Sequence, residues 1–207
     1  MPLKSWPQTR WIEPHRHVRS VRRTALHLCF AILCVFIPAL APAGDFPPGI
    51  TLEKERLALV GDGTARYARI IPVYDIALYA GAIPESGHLL DPGVPKRLDI
   101  IYRVPIRAGD LSRAAEKILS RQHPKDDLEH WWSRINALHD SYRDVQTGDR
   151  YTLSYLPQRG VWLEYNGERI ISLQDDDFAA LYFGIWLGDK PLSESLRLQL
   201  ISGWESS

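Results

Sequence analysis

The stretch ARYARIIPVYDIALYAG, residues 65–81, decides the fold because β-branched and aromatic residues dominate it. From Ala68 onward its even positions, among them Tyr74, Ile76 and Leu78, are apolar, whereas its odd positions mix apolar and polar residues. This period of two predicts a β-strand with one face in the core. Because Pro72 lacks an amide donor, we expect a bulge, a kink or a sheet edge there. Arg66 stands at the head of this strand as a candidate for a chemical site.

Further strands are predicted on both sides of this stretch. The segment 50–60 alternates and is expected to end in a turn at Gly61-Asp62-Gly63. Later segments also alternate, and Asn166-Gly167 between the last two is typical of a type I′ hairpin. They are RLDIIYRV (97–104), RYTLSYL (150–156), VWLEY (161–165) and ERIISL (168–173).

Segments whose apolar residues recur at helical spacing lie between and after these strands. Residues 109–122 predict a helix capped by Asp110 or Ser112, and a single helix carrying Leu128, Trp131, Trp132, Ile135 and Leu138 is expected from Pro124. Two more helices are predicted, one after Asp175–Asp177 and one from Ser193. Strands with helices grouped between them indicate an α+β fold, an antiparallel sheet covered by helices on one face.

The N-terminal segment has the composition of an export signal. Residues 1–24 are basic, the run from Ala25 to Ile37 is apolar, and Ala41-Pro42-Ala43 offers small residues at a cleavage site. We interpret 1–43 as a signal peptide, 44–49 as a linker and 50–203 as one domain. This predicts a bacterial periplasmic protein. The alternative is an uncleaved anchor in the inner membrane.

Export changes the chemistry that the chain can use. Cys29 and Cys34 both lie in the apolar run, so the exported chain would hold no disulfide, thiolate nucleophile or cysteine-bound metal. Six of the 25 basic and one of the 25 acidic residues lie in 1–43, which leaves a net charge of −5. A mildly acidic protein is not expected to bind nucleic acid.

Candidate metal and nucleotide motifs are weak. His123 precedes Pro124 and is expected off the helix, and His130 and His139 lack the spacing of three or four that places two ligands on one helical face. We therefore expect a solvated helix surface rather than a metal site. Asp175–Asp177 lacks the alternating acids of a calcium loop and suits a helix N-terminus instead. The aromatic residues of 178–186 suit core packing or the lining of a ligand cleft. No metal and no cofactor is predicted.

Four segments together resemble the chalcone isomerase-like domain of exported bacterial proteins. They are GDGTARYARIIPVYDIALYAG (61–81), PKRLDIIYRVPIRAGDLSRAAEKIL (95–119), GDRYTLSYLPQRGVWLEYNGERI (148–170) and FAALYFGIWLGDKPLSESLRLQLI (178–201). The resemblance covers residues 50–201 and implies an open-faced β-sandwich with a ligand cleft between a large antiparallel sheet and a helical layer. It also implies relatives of two kinds, plant enzymes that close a flavanone ring and proteins without that activity that bind fatty acids.

The resemblance assigns site residues one by one. Arg66 matches the arginine with which the plant enzymes hold a phenolate or enolate. Tyr74 falls where they have a threonine, Leu111 and Ile118 where they have a tyrosine and an asparagine, and Ile185 where they have a polar residue. One arginine without hydroxyl partners makes a poor oxyanion site but a good carboxylate anchor.

We therefore expect a non-catalytic domain that binds a small amphipathic carboxylate, such as a fatty acid, at Arg66, Tyr74, Leu111, Ile118 and Ile185. One alternative is an isomerase or lyase acting on an enone-like substrate, with Arg66 as electrophile and Tyr67 or Tyr74 as acid. Another is an envelope protein-interaction module whose cleft is filled by its own side chains. Membrane contact is expected only through the signal segment, if it stays uncleaved.

Overall fold

A computed structural model describes residues 46–82 and 87–204, so the predicted signal peptide lies outside the described residues. Seven strands form one antiparallel sheet in chain order, each paired with the next. They are β1 (Gly49–Leu52), β2 (Glu55–Tyr67), β3 (Ile71–Ala80), β4 (Lys96–Tyr102), β5 (Arg150–Leu156), β6 (Gly160–Tyr165) and β7 (Glu168–Leu173). The curled sheet with its helices confirms the predicted α+β, open-faced architecture.

Within residues 46–82 and 87–204, five helices accompany the sheet. They are α1 (Ala108–Gln122), α2 (Lys125–Glu129), α3 (Trp132–Asp140), α4 (Asp176–Leu187) and α5 (Glu194–Leu200). In the described part of the chain, no helix is long and apolar enough to cross a membrane.

The main core lies between one face of the sheet and the helices. Ile76, Leu78 and Leu98 on that face pack in one cluster with Phe183 of α4 and Leu119 of α1. The helix α4 is apolar nearly all round, as expected for a helix buried on several sides. We call the sheet surface that faces this core the inner face and the opposite surface the outer face.

The stretch 65–81 is a hairpin rather than the single predicted strand. It contains the end of β2, a turn and β3, and Ala68 and Arg69 in the turn have positive φ angles of 49° and 65°. The other predicted turn, Gly61-Asp62-Gly63, is wrong because β2 runs through it without interruption. A Cβ atom at Gly61 would lie 2.2 Å from the backbone oxygen of Gln199, so this glycine allows α5 to approach the strand.

The expected irregularity at Pro72 is a β-bulge. Ala65 pairs with Tyr74, but Arg66 pairs with Pro72, which leaves Val73 as the extra residue on β3. A bulge bends its strand locally and changes the direction of the neighbouring side chains. The bulge therefore lies next to Arg66, at the end of the hairpin that borders the site described below.

Two helix predictions need correction. The helix expected from Pro124 breaks into α2 and α3 at His130 and Trp131, where the Trp131 ring packs against Phe178 of α4. Neither Asp110 nor Ser112 caps α1, because the Asp144 carboxylate accepts from the Ala108 amide instead, at 2.8 Å. Both departures arise from tertiary contacts that local spacing does not contain.

Other local predictions are confirmed. Asn166 and Gly167 both have positive φ angles, as a type I′ turn requires. The side chains of Asp175 and Ser193 cap α4 and α5 by accepting from the amides of Phe178 and Leu196.

Candidate ligand-binding site

A cavity of about 300 Å³ lies between the inner face of the sheet and the helices. Its mouth is bordered by exposed lining residues, which include Arg66 and Tyr67 at the end of β2, Asp110 on α1 and Leu192 after α4. That volume is at the lower end of the range for small-molecule sites. Its lining comes from the five strands β2 to β6, the helices α1 and α4, and irregular segments. It includes Ala65, Arg66, Tyr67, Tyr74, Tyr102, Leu111, Ala115, Ile118, Tyr142, Tyr151, Tyr182, Ile185 and Trp186.

The five residues predicted for the site all line this cavity. Leu111 and Ile118 are seven residues apart on α1, about two helical turns, and therefore share a face. Ile185 contributes from α4, while Arg66 and Tyr74 contribute from the hairpin. The structure thus brings together residues that are up to 119 positions apart in the sequence. Their role in ligand binding stays a prediction.

Arg66 lies at the mouth, where its side chain is exposed. Its Nη1 donates to the backbone oxygen of Ile70 at 3.4 Å, and it forms no ion pair with any residue in 46–82 or 87–204. Tyr67 beside it is 71 % exposed. Arg69 is exposed in the hairpin turn and does not line the cavity. The guanidinium of Arg66 is therefore available to an anion that enters the cavity.

Tyr74 is buried behind the mouth, and its hydroxyl oxygen accepts from Nε1 of Trp186 at 3.0 Å. An indole can only donate, so the hydrogen of the Tyr74 hydroxyl stays free for another acceptor. Burial raises the pKa of Tyr74 above its ordinary value, and the bond from Trp186 opposes that shift. Tyr74 is therefore a neutral hydroxyl and a weak proton donor at pH 7.

Tyrosines that the sequence analysis did not assign to the site form much of its inner wall. Tyr102 contacts the rings of Tyr74 and Tyr151 edge-on, with centroids 5.7 and 5.9 Å away. Tyr142 lies 5.6 Å from the Tyr151 ring. Burial raises the pKa of Tyr102 and Tyr142 well above the ordinary value, with smaller contributions from neighbouring tyrosines. The interior consequently carries neutral hydroxyl groups among apolar side chains.

A chain of polar groups leads from this wall towards the surface. The hydroxyls of Tyr142 and Tyr182 are 2.5 Å apart, and the Tyr182 hydroxyl lies 3.0 Å from Nε2 of His139. Nδ1 of His139 is 3.4 Å from a carboxylate oxygen of the partly exposed Glu116. The expectation of a solvated His139 is wrong, because α4 covers this residue and supplies Tyr182. Burial lowers the pKa of His139, and Glu116 opposes the shift.

The charged residues that line the cavity are Arg66 and Asp110. The Asp110 carboxylate is occupied by the Arg113 guanidinium, which leaves Arg66 as the free charge of the lining. Chemically, the site can take an anionic group at its mouth and an apolar body inside. Among the described residues, no group of three or more histidine, cysteine or acidic side chains is placed to hold a metal ion.

Sequence patterns could have indicated part of the missed wall. Tyr102 follows Leu98 and Ile100 at a spacing of two, which places it on the same face of β4 as the core residues. Tyr142, by contrast, follows the end of α3 in an irregular segment, where no periodicity indicates its direction.

Comparisons with known proteins bear on the fold and the family of the chain. No curated protein sequence matches the chain. A solved structure of a fatty-acid binding protein from Arabidopsis thaliana is similar at a TM-score of 0.60 and 14 % identity. The match covers 78 % of this chain and 93 % of the plant protein, and at this identity it supports the fold alone.

A family model described as chalcone isomerase-like matches residues 43–202. This match spans more than half of the chain and contains every strand and helix of the sheet and its helical layer. The chain therefore belongs to the chalcone isomerase-like family.

Proposed function

We propose that the protein binds a small amphipathic carboxylate, such as a fatty acid, in the cavity between the sheet and the helices, and that it does so in the bacterial periplasm. The observation that carries the proposal is the unpaired guanidinium of Arg66 at the mouth of a mainly apolar cavity. A guanidinium can hold a carboxylate through two parallel hydrogen bonds.

The body of the ligand would lie against the apolar part of the lining. Leu111, Ile118 and Ile185 project from two helices onto this space, and Ile118 and Ile185 are buried. Covering apolar surface in such a cavity stabilises a bound chain by about 25 cal/mol for each Å² removed from water. The similar plant structure carries the name of a fatty-acid binding protein, which makes a fatty acid the first ligand to test.

Binding without chemistry fits the lining better than ring closure does. The polar groups of the lining near Arg66 include the hydroxyls of Tyr67 and Tyr74, and burial keeps the Tyr74 hydroxyl from releasing its proton readily. The positions where the resemblance implies further polar groups hold Leu111, Ile118 and Ile185. A filled cleft, the alternative of a pure interaction module, does not fit a cavity of about 300 Å³.

The direct experiment is to purify the protein under native conditions, extract it and identify bound acyl chains by mass spectrometry. We expect a fatty acid in the extract. In calorimetric titrations with dodecanoate, Arg66→Ala should weaken binding by about tenfold, the effect of one charged hydrogen bond. Arg69→Ala is the matched control, since Arg69 is exposed in the same hairpin but does not line the cavity.

Two results would count against this function. The absence of any acyl chain from the extract, together with equal dodecanoate affinity in Arg66→Ala and the parent protein, would reject it. Turnover of a chalcone-like enone that is lost in Arg66→Ala would support the isomerase alternative instead. The periplasmic location is tested separately, by fractionating cells and determining the N-terminus of the exported protein.

A further inference from the structure

We propose that the cavity contains a second polar binding point, the hydroxyl group of Tyr102, and that the ligand is an acyl chain with a hydroxyl or keto oxygen near its middle. The inference rests on the proposed function, because it takes the carboxylate of the chain to lie at Arg66. It adds to that function the class of acyl chain that the interior of the cavity would prefer.

The hydroxyl of Tyr102 differs from those around it. Tyr102 is 6 % exposed and lines the cavity, yet its hydroxyl has no hydrogen-bond partner among residues 46–82 and 87–204. The neighbouring Tyr74 hydroxyl accepts from Trp186, and the Tyr142 hydroxyl is bonded to that of Tyr182. Within the described residues, this hydroxyl is not among the fully enclosed polar atoms that lack a partner, so it is open to the cavity. Whatever fills the cavity at this point, water or a ligand, must therefore pair with it.

Other buried polar atoms without a partner lie elsewhere. Within the described chain they include the hydroxyls of Tyr79 and Ser154 and the indole nitrogen of Trp162. These residues lie in one cross-strand row on the outer face, in which Arg97 of β4 stands between Tyr79 and Ser154, and none of them lines the cavity. Tyr102, by contrast, has an unpaired hydroxyl among the described residues and also lines the cavity.

The chemistry of the hydroxyl determines which chain it favours. A phenolic hydroxyl both donates and accepts, so it can pair with an alcohol or with a ketone. A saturated chain lying over Tyr102 would cover the hydroxyl without offering it a partner. Sites built to pair with an oxygen on the ligand discriminate strongly against analogues that lack that oxygen.

The sheet register indicates where on the chain the oxygen should be. Ala65, Tyr74 and Tyr102 occupy one row across β2, β3 and β4. Two strand spacings separate the first and last of them, so the Cα atom of Tyr102 lies about 10 Å from that of Ala65. Arg66 follows Ala65 directly, and a chain anchored there reaches Tyr102 with its middle carbons rather than with the carbon next to the carboxylate.

The experiment compares dodecanoate with a series of hydroxydodecanoates that differ in the position of the hydroxyl group. Calorimetric titrations of the purified protein measure each affinity in the parent sequence, in Tyr102→Phe and in Tyr165→Phe. Tyr165 is the matched control because its hydroxyl bonds to Asp149 and the residue does not line the cavity. Thermal melting of each variant verifies that it folds.

We expect one mid-chain isomer to bind the parent protein about tenfold more tightly than dodecanoate does. Tyr102→Phe should abolish this preference while leaving dodecanoate affinity equal or slightly higher, and Tyr165→Phe should retain it.

Equal affinities across the series, or a preference that survives Tyr102→Phe, would overturn the inference and leave the proposed function intact. Weaker dodecanoate binding in Tyr102→Phe would also overturn it, since the carboxylate would then lie at Tyr102. Failure of every acyl chain to bind would reject the proposed function together with the inference.

Discussion

The two faces of the sheet accommodate polar groups in different ways. On the outer face the carboxylates of Asp75 and Asp99 are nearly buried, and each is paired with an arginine. Nε of Arg103 donates to Asp75 at 2.7 Å, and Nε of Arg97 donates to Asp99 at 2.9 Å. The inner face at the cavity carries neutral tyrosine hydroxyls instead, and that of Tyr102 has no partner within the described residues.

This difference distinguishes polar groups that the fold itself pairs from a polar group that is left for a ligand. A nearly buried charge is tolerated where a counter-charge and hydrogen bonds surround it, so the outer-face carboxylates are accounted for by the fold itself. A buried hydroxyl beside an open volume is not satisfied by the fold and stays available to a ligand. The four predictions below test the comparison, beginning with the largest expected effect.

Removing a paired carboxylate from the outer face should cost the most stability. Asp99 also accepts from Thr152 at 3.0 Å, so Asp99→Ala leaves a guanidinium and a buried hydroxyl without their acceptor. We expect a loss of about 3 kcal/mol in the free energy of unfolding, measured in urea. The exposed Asp126 of α2 supplies the control, and its replacement by alanine should change stability by less than about 0.5 kcal/mol. Similar losses in both variants would contradict the structural role of Asp99.

Filling the cavity from the inner side should affect binding far more than stability. Ala115 is buried on α1 and lines the cavity, so Ala115→Phe places a ring in the binding volume. We expect dodecanoate affinity to fall about 30-fold, or about 2 kcal/mol, because the ring occupies volume in which the acyl chain would bury apolar surface.

The control for this change is Lys117→Phe on the exposed side of the same helix, which should keep the parent affinity. Unaltered binding in Ala115→Phe, measured by calorimetry on a folded variant, would show that the ligand does not use this cavity.

Lys96 is a charge on the inner face that lacks a carboxylate partner among the described residues. It is 0 % exposed, its Nζ donates to the backbone oxygen of Asp91 at 3.0 Å, and it lies 4.6 Å from the centre of the Tyr155 ring. Burial lowers the pKa of Lys96 to about 8, with Asp91 opposing. Lys96→Met should therefore stabilise the fold by about 1 kcal/mol at pH 7.

The lowered pKa of Lys96 also predicts how the free energy of unfolding changes with pH. Between pH 8 and pH 10 the unfolded chain still binds the Lys96 proton while the folded chain releases it, so the free energy of unfolding rises with pH in this window. Lys96→Met should lose that rise, and Lys117→Met on the exposed side of α1 should keep it. Superimposable urea-derived stability profiles for Lys96→Met and the parent protein would show that the amine is not desolvated.

Much of the fold could be predicted because periodicity is a local property. Alternation identified the buried side of β3, and positive φ angles confirm the hairpin at Asn166-Gly167. Gly61 was misinterpreted because a glycine in a turn and a glycine under an approaching helix look alike in sequence. The atom that requires a glycine there belongs to Gln199, which is 138 positions away.

The candidate site could be predicted only as far as the resemblance supplied its positions. It placed Leu111, Ile118 and Ile185 together, although nothing in their own periodicity distinguishes a cavity wall from a packed core. Tyr102 was missed for the same reason, since its alternation suits either role. Whether a buried hydroxyl has a partner depends on distances between strands and helices, which a single sequence does not contain.

The smallest expected effect on stability is that of His139, a titratable residue that lies behind the cavity-lining tyrosines Tyr142 and Tyr182. Glu116 of α1, Tyr182 of α4, and the neighbouring Asp140 and Tyr142 surround its ring. Because burial lowers its pKa below the ordinary 6.5, the unfolded chain binds a proton more readily than the folded chain as pH falls through this value. The free energy of unfolding should therefore decrease on acidification from pH 7 to pH 5.5.

His139→Gln removes the titrating group while its amide oxygen can still accept from Tyr182. Between pH 7 and pH 5.5 the free energy of unfolding should decrease less in His139→Gln than in the parent protein, and the two decreases should differ by less than about 1 kcal/mol. Urea unfolding at each pH measures them. His88→Gln is the control, since His88 is exposed and should keep the parent slope. Identical slopes for His139→Gln and the parent protein would mean that His139 accepts its proton as readily in the folded chain as in water. The inner wall behind Tyr142 would then be open to solvent. The contrast between paired carboxylates on the outer face and desolvated groups on the inner face would not extend beyond Tyr102.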